Sequence, residues 1–355
     1  MKKIVISLSL LSSISFASLS NREIANMFIL GFYGSKATPN TKIYKDICSR
    51  GLGGVILFKK SPVSNRAFKN FNSSNDLKAL TKGLKSCGTK PLIAVDQEGG
   101  LVQRVKLTYR YPRASLVVKG GKEKARGVYL TMAKELKSLG INLNFAPVAD
   151  LALNPNNKVI YKWGRSYGKS ANTVIDYDRV FIDAMHKYNI ATSLKHFPGH
   201  GSSLGDTHKG FVDVTNLWQN IELKPYMALK NNTDTVMVAH IFNKNYDPVY
   251  PASLSKKWIS GVLREQIGYR GVVVSDDLQM GAINKHYSLK KRIELSINAG
   301  VDIMLFANQL SPKYNLKIEQ LVAIVRELLA EGKVTQMQIK NANARINRLK
   351  EKLYR

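Results

Sequence analysis

Short apolar runs recur along the chain, separated by segments with helical periodicity. The runs are almost continuous in Val, Ile, Leu and Phe, which indicates strands that are buried on both faces. Eight strands are predicted, at residues 28–32, 53–58, 91–96, 142–148, 191–194, 235–241, 271–275 and 301–306. Eight strands alternating with helices predict an α/β fold, a closed TIM (β/α)8 barrel.

The helical segments complete this organisation. Helices are expected between strands at 122–139, 171–188 and 289–299, and after the last strand at 311–330 and 335–352. The segment at 311–330 opens on a Ser-Pro pair, and Glu331-Gly332-Lys333 separates it from the segment at 335–352. The latter would be an extra C-terminal helix. No linker suggests a second domain, so residues 18–355 are predicted to form one domain.

Residues 1–17 have the pattern of a secretory signal. Lys2 and Lys3 precede an apolar stretch over residues 4–16, which is too short to span a bilayer and ends in Ser15-Phe16-Ala17. We expect this segment to be removed and the mature protein to be periplasmic or secreted, with no stable membrane insertion. An uncleaved amphipathic anchor is the alternative, and no cysteine follows the segment to suggest a lipoprotein.

The charge balance is strongly basic. The chain has 54 Lys and Arg against 25 Asp and Glu, a formal net charge of +29. The basic residues are scattered and no nucleic-acid recognition motif is present, so we expect no nucleic-acid partner and only a general attraction to anionic surfaces.

The chain has two cysteines, Cys48 and Cys87. Each follows a predicted helix and precedes a predicted strand, which would place both at the same end of neighbouring βα units. In an oxidising compartment this arrangement predicts a disulfide, with two buried free thiols as the alternative.

Polar side chains concentrate after the fifth strand. The loop there contains His196, His200, Asp206 and His208, and it holds three of the chain's six histidines. A Pro-Gly pair between the first two histidines prevents the helix that would place both on one metal, so no metal site is predicted. Asp206 and His208 are two positions apart, so the carboxylate can orient the imidazole, and this pair is the acid/base candidate.

Other predicted strands also end in polar residues, at the end of a barrel where working groups lie. These residues are Asp96 to Gly100 followed by Arg104, the segment Gly164 to Gly168 with Arg165, Lys195 and His196, His240, and Ser275-Asp276-Asp277. Asp277 is interpreted as a cap for the following helix, and Asp276 as the residue for chemistry.

Three of these motifs resemble a known family. Lys195 to Gly201 with Asp206 and His208, Asp96-Gln97-Glu98-Gly99-Gly100 and Ser275-Asp276-Asp277-Leu278 are similar to β-N-acetylglucosaminidases of glycoside hydrolase family three, over about residues 24–306. The resemblance implies a TIM-barrel, retaining exo-enzyme that needs no cofactor and releases terminal N-acetylglucosamine, typically from peptidoglycan fragments. It implies Asp276 as nucleophile, His208 as acid/base and Asp206 as its partner. The implied sugar-binding residues are Asp96, Arg104, Arg165, Lys195 and His196, and we add His240 from its strand end.

The chain departs from the family pattern within the histidine loop. Ser202-Ser203 stands where Asp-Thr is common, and Thr207 stands where the family has Ser. Chemistry supports the assigned roles independently, because retaining hydrolysis needs a carboxylate at the anomeric carbon and a group that acts as acid and then as base near neutral pH. A catalytically weak barrel that binds glycans and a phosphorylase that uses the same intermediate remain open. We expect a monomer.

Overall fold

The computed structural model describes residues 18–60, 68–207, 210–309 and 315–355. Its centre is a sheet of eight parallel strands. They are β1 (Phe28–Leu30), β2 (Gly54–Ile56), β3 (Leu92–Val95), β4 (Leu143–Asn144), β5 (Ala191–Phe197), β6 (Thr235–Val238), β7 (Val272–Ser275) and β8 (Met304–Phe306). Each strand pairs with the next along the chain, β1 pairs with β8, and a parallel bridge between Val274 and Ile303 joins β7 to β8. The predicted TIM barrel is confirmed.

Strand β5 is longer than its apolar residues predicted. It was expected to end at residue 194, but it continues to Phe197 and is buried at all seven positions. Lys195 and His196 therefore belong to the barrel wall. Their polar groups can be buried because each is paired with a carboxylate, 2.8 Å from Asp96 for Lys195 and 2.7 Å from Asp150 for His196.

Helices surround the barrel. The α-helices span Asn21–Ala25, Lys42–Cys48, Ser74–Lys85, Ala114–Val117, Gly121–Ser138, Ala171–His186, Lys224–Leu229, Gly281–Asn284, Leu289–Ala299, Ile318–Ala330 and Gln336–Leu353. A π-type helix spans Lys257–Gln266, and single 3-10 turns span Val118–Gly120, Asn220–Leu223 and Ala252–Leu254. Within the described ranges, no helix has both the length and the apolar character needed to cross a bilayer.

The helix expected at 311–330 begins later, at Ile318. Residues 310–314 lie outside the described part of the chain, and 315–317 are not helical. The reason is that Leu316 is used elsewhere: its N–H donates to Asn308 Oδ1 at 3.0 Å, and its carbonyl accepts from Asn308 Nδ2 at 3.1 Å. The extra C-terminal helix is confirmed as Gln336–Leu353, with Thr335 and Gln338 forming its capping box.

Two more β-ribbons are built from the loops at the carboxyl end of the barrel. Gln97–Gly99 pairs antiparallel with Val102–Gln103, and Val212–Asp213 pairs parallel with Ile241–Phe242. At the opposite end, Cys48 and Cys87 form the predicted disulfide, with their Cα atoms 5.8 Å apart. The disulfide joins the segments that lead into β2 and β3, away from the polar loops.

Candidate active site

A cavity of about 260 Å³ opens at the carboxyl end of the barrel. Apolar side chains of the barrel interior form its floor, among them Ile56, Met237 and Leu305. Its polar wall consists of Asp96, Arg104, Arg165, Lys195, His196, His200, Asp206, Thr207, Asp276, Asp277 and Gln309. The volume lies just below the usual range for small-molecule sites, about 300–1,000 Å³, so the cavity suits one compact polar group rather than a polymer.

One wall is a buried ion-pair cluster centred on Glu98. Arg165 binds this carboxylate with two parallel hydrogen bonds of 2.8 and 2.7 Å, and Lys195 Nζ lies 2.7 Å from Glu98 and 2.8 Å from Asp96. Burial acts to raise the pKa of Glu98, but the charges of Arg165 and Lys195 outweigh it and hold this pKa well below its usual range. Burial likewise acts to lower the pKa of Lys195, yet Asp96 and Glu98 hold it above its usual value. Glu98 and Lys195 are therefore both charged at neutral pH.

His196 is oriented by a second buried carboxylate. Asp150, which follows β4, lies 2.7 Å from His196 Nδ1 and accepts hydrogen bonds from the backbone N–H groups of His196 and His200 at 3.1 and 2.8 Å. Burial acts to raise the pKa of Asp150, but the charge of His196 and its hydrogen bond outweigh burial, so the pKa of Asp150 lies below its usual value. With Nδ1 turned to Asp150, the Nε2 atom of His196 faces Arg165 and the cavity, 3.5 Å from Arg165 Nη2.

The histidine loop is held from behind by Glu222. Its carboxyl accepts from Ser202 Oγ at 2.6 Å and from the Gly201 N–H at 3.1 Å. Burial raises the pKa of Glu222 to about 7, against the lowering effect of the Ser202 hydrogen bond. Burial also lowers the pKa of His200 to about 4, despite the neighbouring Asp150, so His200 is neutral at physiological pH.

Asp276 stands at the end of β7 on the opposite wall. Its N–H donates to the Val238 carbonyl at 3.0 Å, and its Oδ1 accepts from the Asp277 N–H at 2.8 Å. The end of the histidine loop is fastened to the same segment, because the Ala282 N–H donates to the Thr207 carbonyl at 3.1 Å. The structure therefore places the residue before His208 beside the segment that carries Asp276.

Asp277 has the structural role that its position suggested, although it does not cap a helix. Its Oδ1 accepts from the N–H groups of Gln279 and Ala307 at 3.1 Å each, which joins the turn after β7 to the end of β8. The helix that follows, Gly281–Asn284, begins after Met280 without a side-chain cap.

Comparison with known proteins decides the family. The model of the glycosyl hydrolase family 3 N terminal domain matches residues 19–349. This chain belongs to glycosyl hydrolase family 3. A β-hexosaminidase of Haemophilus ducreyi is 35% identical over 271 residues, 73% of this chain and 75% of that protein, and one of Xanthomonas oryzae pv. oryzae is 31% identical over 298 residues, 79% and 83% respectively.

Solved structures of the family share the fold. The glycoside hydrolase family 3 β-N-acetylglucosaminidase of Paenibacillus sp. str. FPU-7 matches with a TM-score of 0.83 and 29% identity, over 95% of this chain. This chain spans 63% of that protein's solved chain. The β-N-acetylhexosaminidase of Beutenbergia cavernae DSM 12333 matches with a TM-score of 0.82 and 26% identity, over 95% of this chain and 100% of its own. The predicted resemblance and the prediction of a glycoside hydrolase are confirmed.

The family 3 barrel brings most of the predicted site residues together. Seven of them line the one cavity: Asp96, Arg104, Arg165, Lys195, His196, Asp206 and Asp276. His208 lies outside the described residues. His240 is fully buried behind the wall, with its ring nitrogens 2.6 Å from Ser253 Oγ and 2.9 Å from the Asp277 carbonyl oxygen. His240 therefore supports the turn at Asp277 and does not line the cavity.

Sequence reasoning missed several residues that build the site. Glu98 and Asp150 received no role, although a buried Arg or His in a barrel mouth requires a carboxylate partner. Trp163, 42% exposed, also lines the cavity, one residue before the segment that holds Arg165. Nothing in the sequence pattern indicated a role for Glu222, because it lies 20 residues from its partner Ser202. Among the described residues, no group of three His, Cys, Asp or Glu side chains is placed to hold a metal ion.

Proposed function

We propose that this protein is an exo-acting, retaining β-N-acetylglucosaminidase that releases terminal β-linked N-acetylglucosamine from peptidoglycan fragments. The observation that carries the proposal is that Asp276, Asp206 and the cluster of Asp96, Lys195 and Arg165 line one cavity sized for a single sugar. The β-hexosaminidases and β-N-acetylglucosaminidases to which the chain is similar support the reaction and the sugar.

Asp276 is assigned as the nucleophile. It follows four buried strand residues and its backbone N–H is bonded to Val238, so its position is set by the barrel. In the first step a carboxylate oxygen of Asp276 bonds to the anomeric carbon while the glycosidic bond breaks and the leaving oxygen takes a proton. In the second step water attacks the same carbon, and Asp276 is released with the anomeric configuration retained.

His208 is assigned as the group that gives the first proton and accepts the second, with Asp206 as its partner. An imidazole with a pKa near 6.5 can perform both transfers near neutral pH. The support comes from the residues around it: Asp206 lines the cavity, and the Ala282 N–H fixes Thr207 against the segment after β7. The acid/base side and the nucleophile side of the site are therefore tied together.

The opposite wall is assigned to sugar recognition. Arg165 and Lys195 provide donors that are already fixed by Glu98, and Asp96 provides an acceptor held by Lys195, so little order is lost when they bind hydroxyl groups. His196, oriented by Asp150, and Arg104 complete this set. The exposed face of Trp163 supplies an apolar surface beside these polar groups.

The test uses aryl β-N-acetylglucosaminide and aryl β-glucoside with the mature protein and with Asp276→Asn. The proposal predicts cleavage of the acetamido sugar and at least a ~10³-fold loss of kcat/KM in the variant, because the covalent step is removed. Asp277→Asn is the matched control, and its activity should fall far less. Equal activity of Asp276→Asn and the wild type would exclude the proposed nucleophile, and cleavage of neither sugar would favour the glycan-binding alternative.

We further propose that the protein is exported. The signal-like residues 1–17 support this, as does the disulfide between Cys48 and Cys87, since disulfides persist in oxidising compartments. Mass spectrometry of the protein purified from its own cells should give a mature chain that begins near residue 18. An intact N-terminus on protein from the cytoplasmic fraction would overturn this proposal.

A further inference from the structure

A second depression adjoins the active-site cavity. Its volume is about 660 Å³, and it shares Phe58, Arg104 and Gln309 with that cavity, so the two lie side by side. We call it the basic groove. It is lined by Lys59 and Lys60 after β2, by the loop 100–110 after β3, and by Gln309 after β8.

The charge of the basic groove has one sign. Among the described residues that line it, five are cationic and none is acidic; the five are Lys59, Lys60, Arg104, Lys106 and Arg110. None of these five side chains makes an ion pair or hydrogen bond with another part of the described chain. Lys42, by contrast, is paired with Asp46 and Glu319 at 2.9 Å each. Unpaired like charges around a concave surface create a positive potential that favours an anion.

The groove is also preformed. Gln103 holds both ends of the loop, because its amide nitrogen donates to the Gly100 carbonyl at 2.8 Å and its amide oxygen accepts from the Tyr111 N–H at 3.0 Å. Glu135 accepts from the Thr108 N–H at 2.7 Å and from the Tyr111 hydroxyl at 2.9 Å. A loop fixed in this way holds its cations in place before a ligand arrives, which lowers the entropy cost of binding.

The groove suits a ligand with both anionic and apolar parts. Leu101 and Tyr109 are 58% and 64% exposed in its wall, beside the cations. Arg104 lines both the groove and the sugar cavity, so one bound molecule can occupy the two together. An exo-enzyme holds the released sugar in its cavity, and the rest of the substrate must then lie outside it.

We propose that the basic groove binds the carboxylates of the aglycone, the part of the substrate beyond the released N-acetylglucosamine. This inference rests on the proposed function and narrows its substrate class to saccharides whose second sugar bears a peptide with free carboxylates. Neutral chitin-type disaccharides fill the sugar cavity but leave the five cations without a counter-charge.

The experiment compares two substrates, an N-acetylglucosaminyl-N-acetylmuramyl peptide and the neutral N,N′-diacetylchitobiose. The measured quantity is kcat/KM for the muramyl peptide divided by kcat/KM for the chitobiose. It is determined for the wild type, for the groove variant Lys106→Ala/Arg110→Ala and for the control Lys78→Ala/Arg270→Ala. The last variant loses the same charge from the helix Ser74–Lys85 and from the amino end of β7. The ratio should fall roughly fivefold to thirtyfold in the groove variant, mainly through KM, as expected for two exposed ion pairs, and it should stay near the wild-type value in the control.

A second measurement keeps the inference separate from catalysis. Calorimetric titration with the N-acetylmuramyl peptide alone should show weaker binding to the groove variant than to the wild type or the control, with an affinity that falls as salt is raised. Equal binding to all three proteins would overturn the inference, and so would an equal fall of the ratio in both double variants. If the wild type cleaves neither substrate but binds the peptide through the groove, the proposed function fails and the groove assignment stands.

Discussion

The two ends of the barrel use the same buried chemistry for different purposes. At the amino end, Asp302 is fully buried and accepts from Arg264 at 2.6 Å, from Arg345 at 2.8 Å and from the Val273 N–H at 2.8 Å. All of these partners are structural, since they join the outer helices to β7 and β8. At the carboxyl end, Glu98 binds Arg165 and Lys195 in a similar cluster, but those cations also face a cavity.

The comparison shows that a buried ion pair does not by itself identify a site. What distinguishes the carboxyl end is that Arg165 and Lys195 line a cavity, although their side chains are less exposed than those of Arg264 and Arg345, which lie on the outer helices. Variants at the two ends of the barrel should therefore differ in whether they affect activity or stability.

Glu98→Gln should have the largest effect. Arg165 and Lys195 would lose their shared counter-charge, and the sugar-binding wall would lose its geometry, so kcat/KM for the aryl N-acetylglucosaminide should fall at least ~100-fold. The free energy of unfolding should fall as well, measured by urea titration. Glu319→Gln is the matched control, because its exposed pairs with Lys42 and Arg50 should contribute under ~1 kcal/mol and no activity. Retention of near wild-type activity by Glu98→Gln would contradict the role of this cluster.

Asp302→Asn should separate stability from activity. Two partly buried guanidinium groups lose a fully buried anion, so the free energy of unfolding should fall by about 4 kcal/mol. Since the site lies at the other end of the barrel, kcat/KM at 25 °C should stay within about twofold of the wild type. A loss of activity as large as that of Glu98→Gln would show that the two ends are not independent.

Removal of the disulfide should have the next largest effect on the free energy of unfolding. Cys48→Ser/Cys87→Ser should lower the free energy of unfolding by about 3 kcal/mol, because the unfolded chain is no longer restrained across the 39-residue separation. The activity of the folded protein should be retained. A reducing agent should reproduce the shift in the wild type and leave the double variant unaffected, and the same urea midpoint with and without it would contradict the prediction.

Glu222→Gln should have the smallest effect on stability, and this effect should depend on pH. Glu222 is a buried carboxyl without an ion pair in the described part of the chain. Its folded pKa of about 7 lies above the unfolded value, so the folded state binds the proton more tightly. Stability from this group is fully present below about pH 4.5 and is lost as the pH rises to about 7, by roughly 2 to 3 kcal/mol. Glu222→Gln should remove this part of the pH dependence. Parallel stability profiles of the variant and the wild type between pH 4.5 and 7.5 would exclude it.

The sequence predicted the barrel because its strands are buried on both faces and leave continuous apolar runs. It also predicted the positions of Asp276, Lys195 and Asp96, because barrel sites are built at strand ends. The partners were harder to predict: Glu98, Asp150 and Glu222 act through tertiary contacts across 67, 46 and 20 residues. The late start at Ile318 and the buried place of His240 have the same cause, since hydrogen bonds from distant segments overrode local patterns.

The most direct test of the central assignment is to trap the intermediate. The wild type would be treated with an activated 5-fluoro derivative of N-acetylglucosamine, which slows the second step, and the labelled peptide would be identified by mass spectrometry. A glycosyl adduct on Asp276, absent from Asp276→Asn and present in Asp277→Asn, is the predicted result. An adduct on another residue, or release of the sugar with inverted configuration and no adduct, would contradict the account.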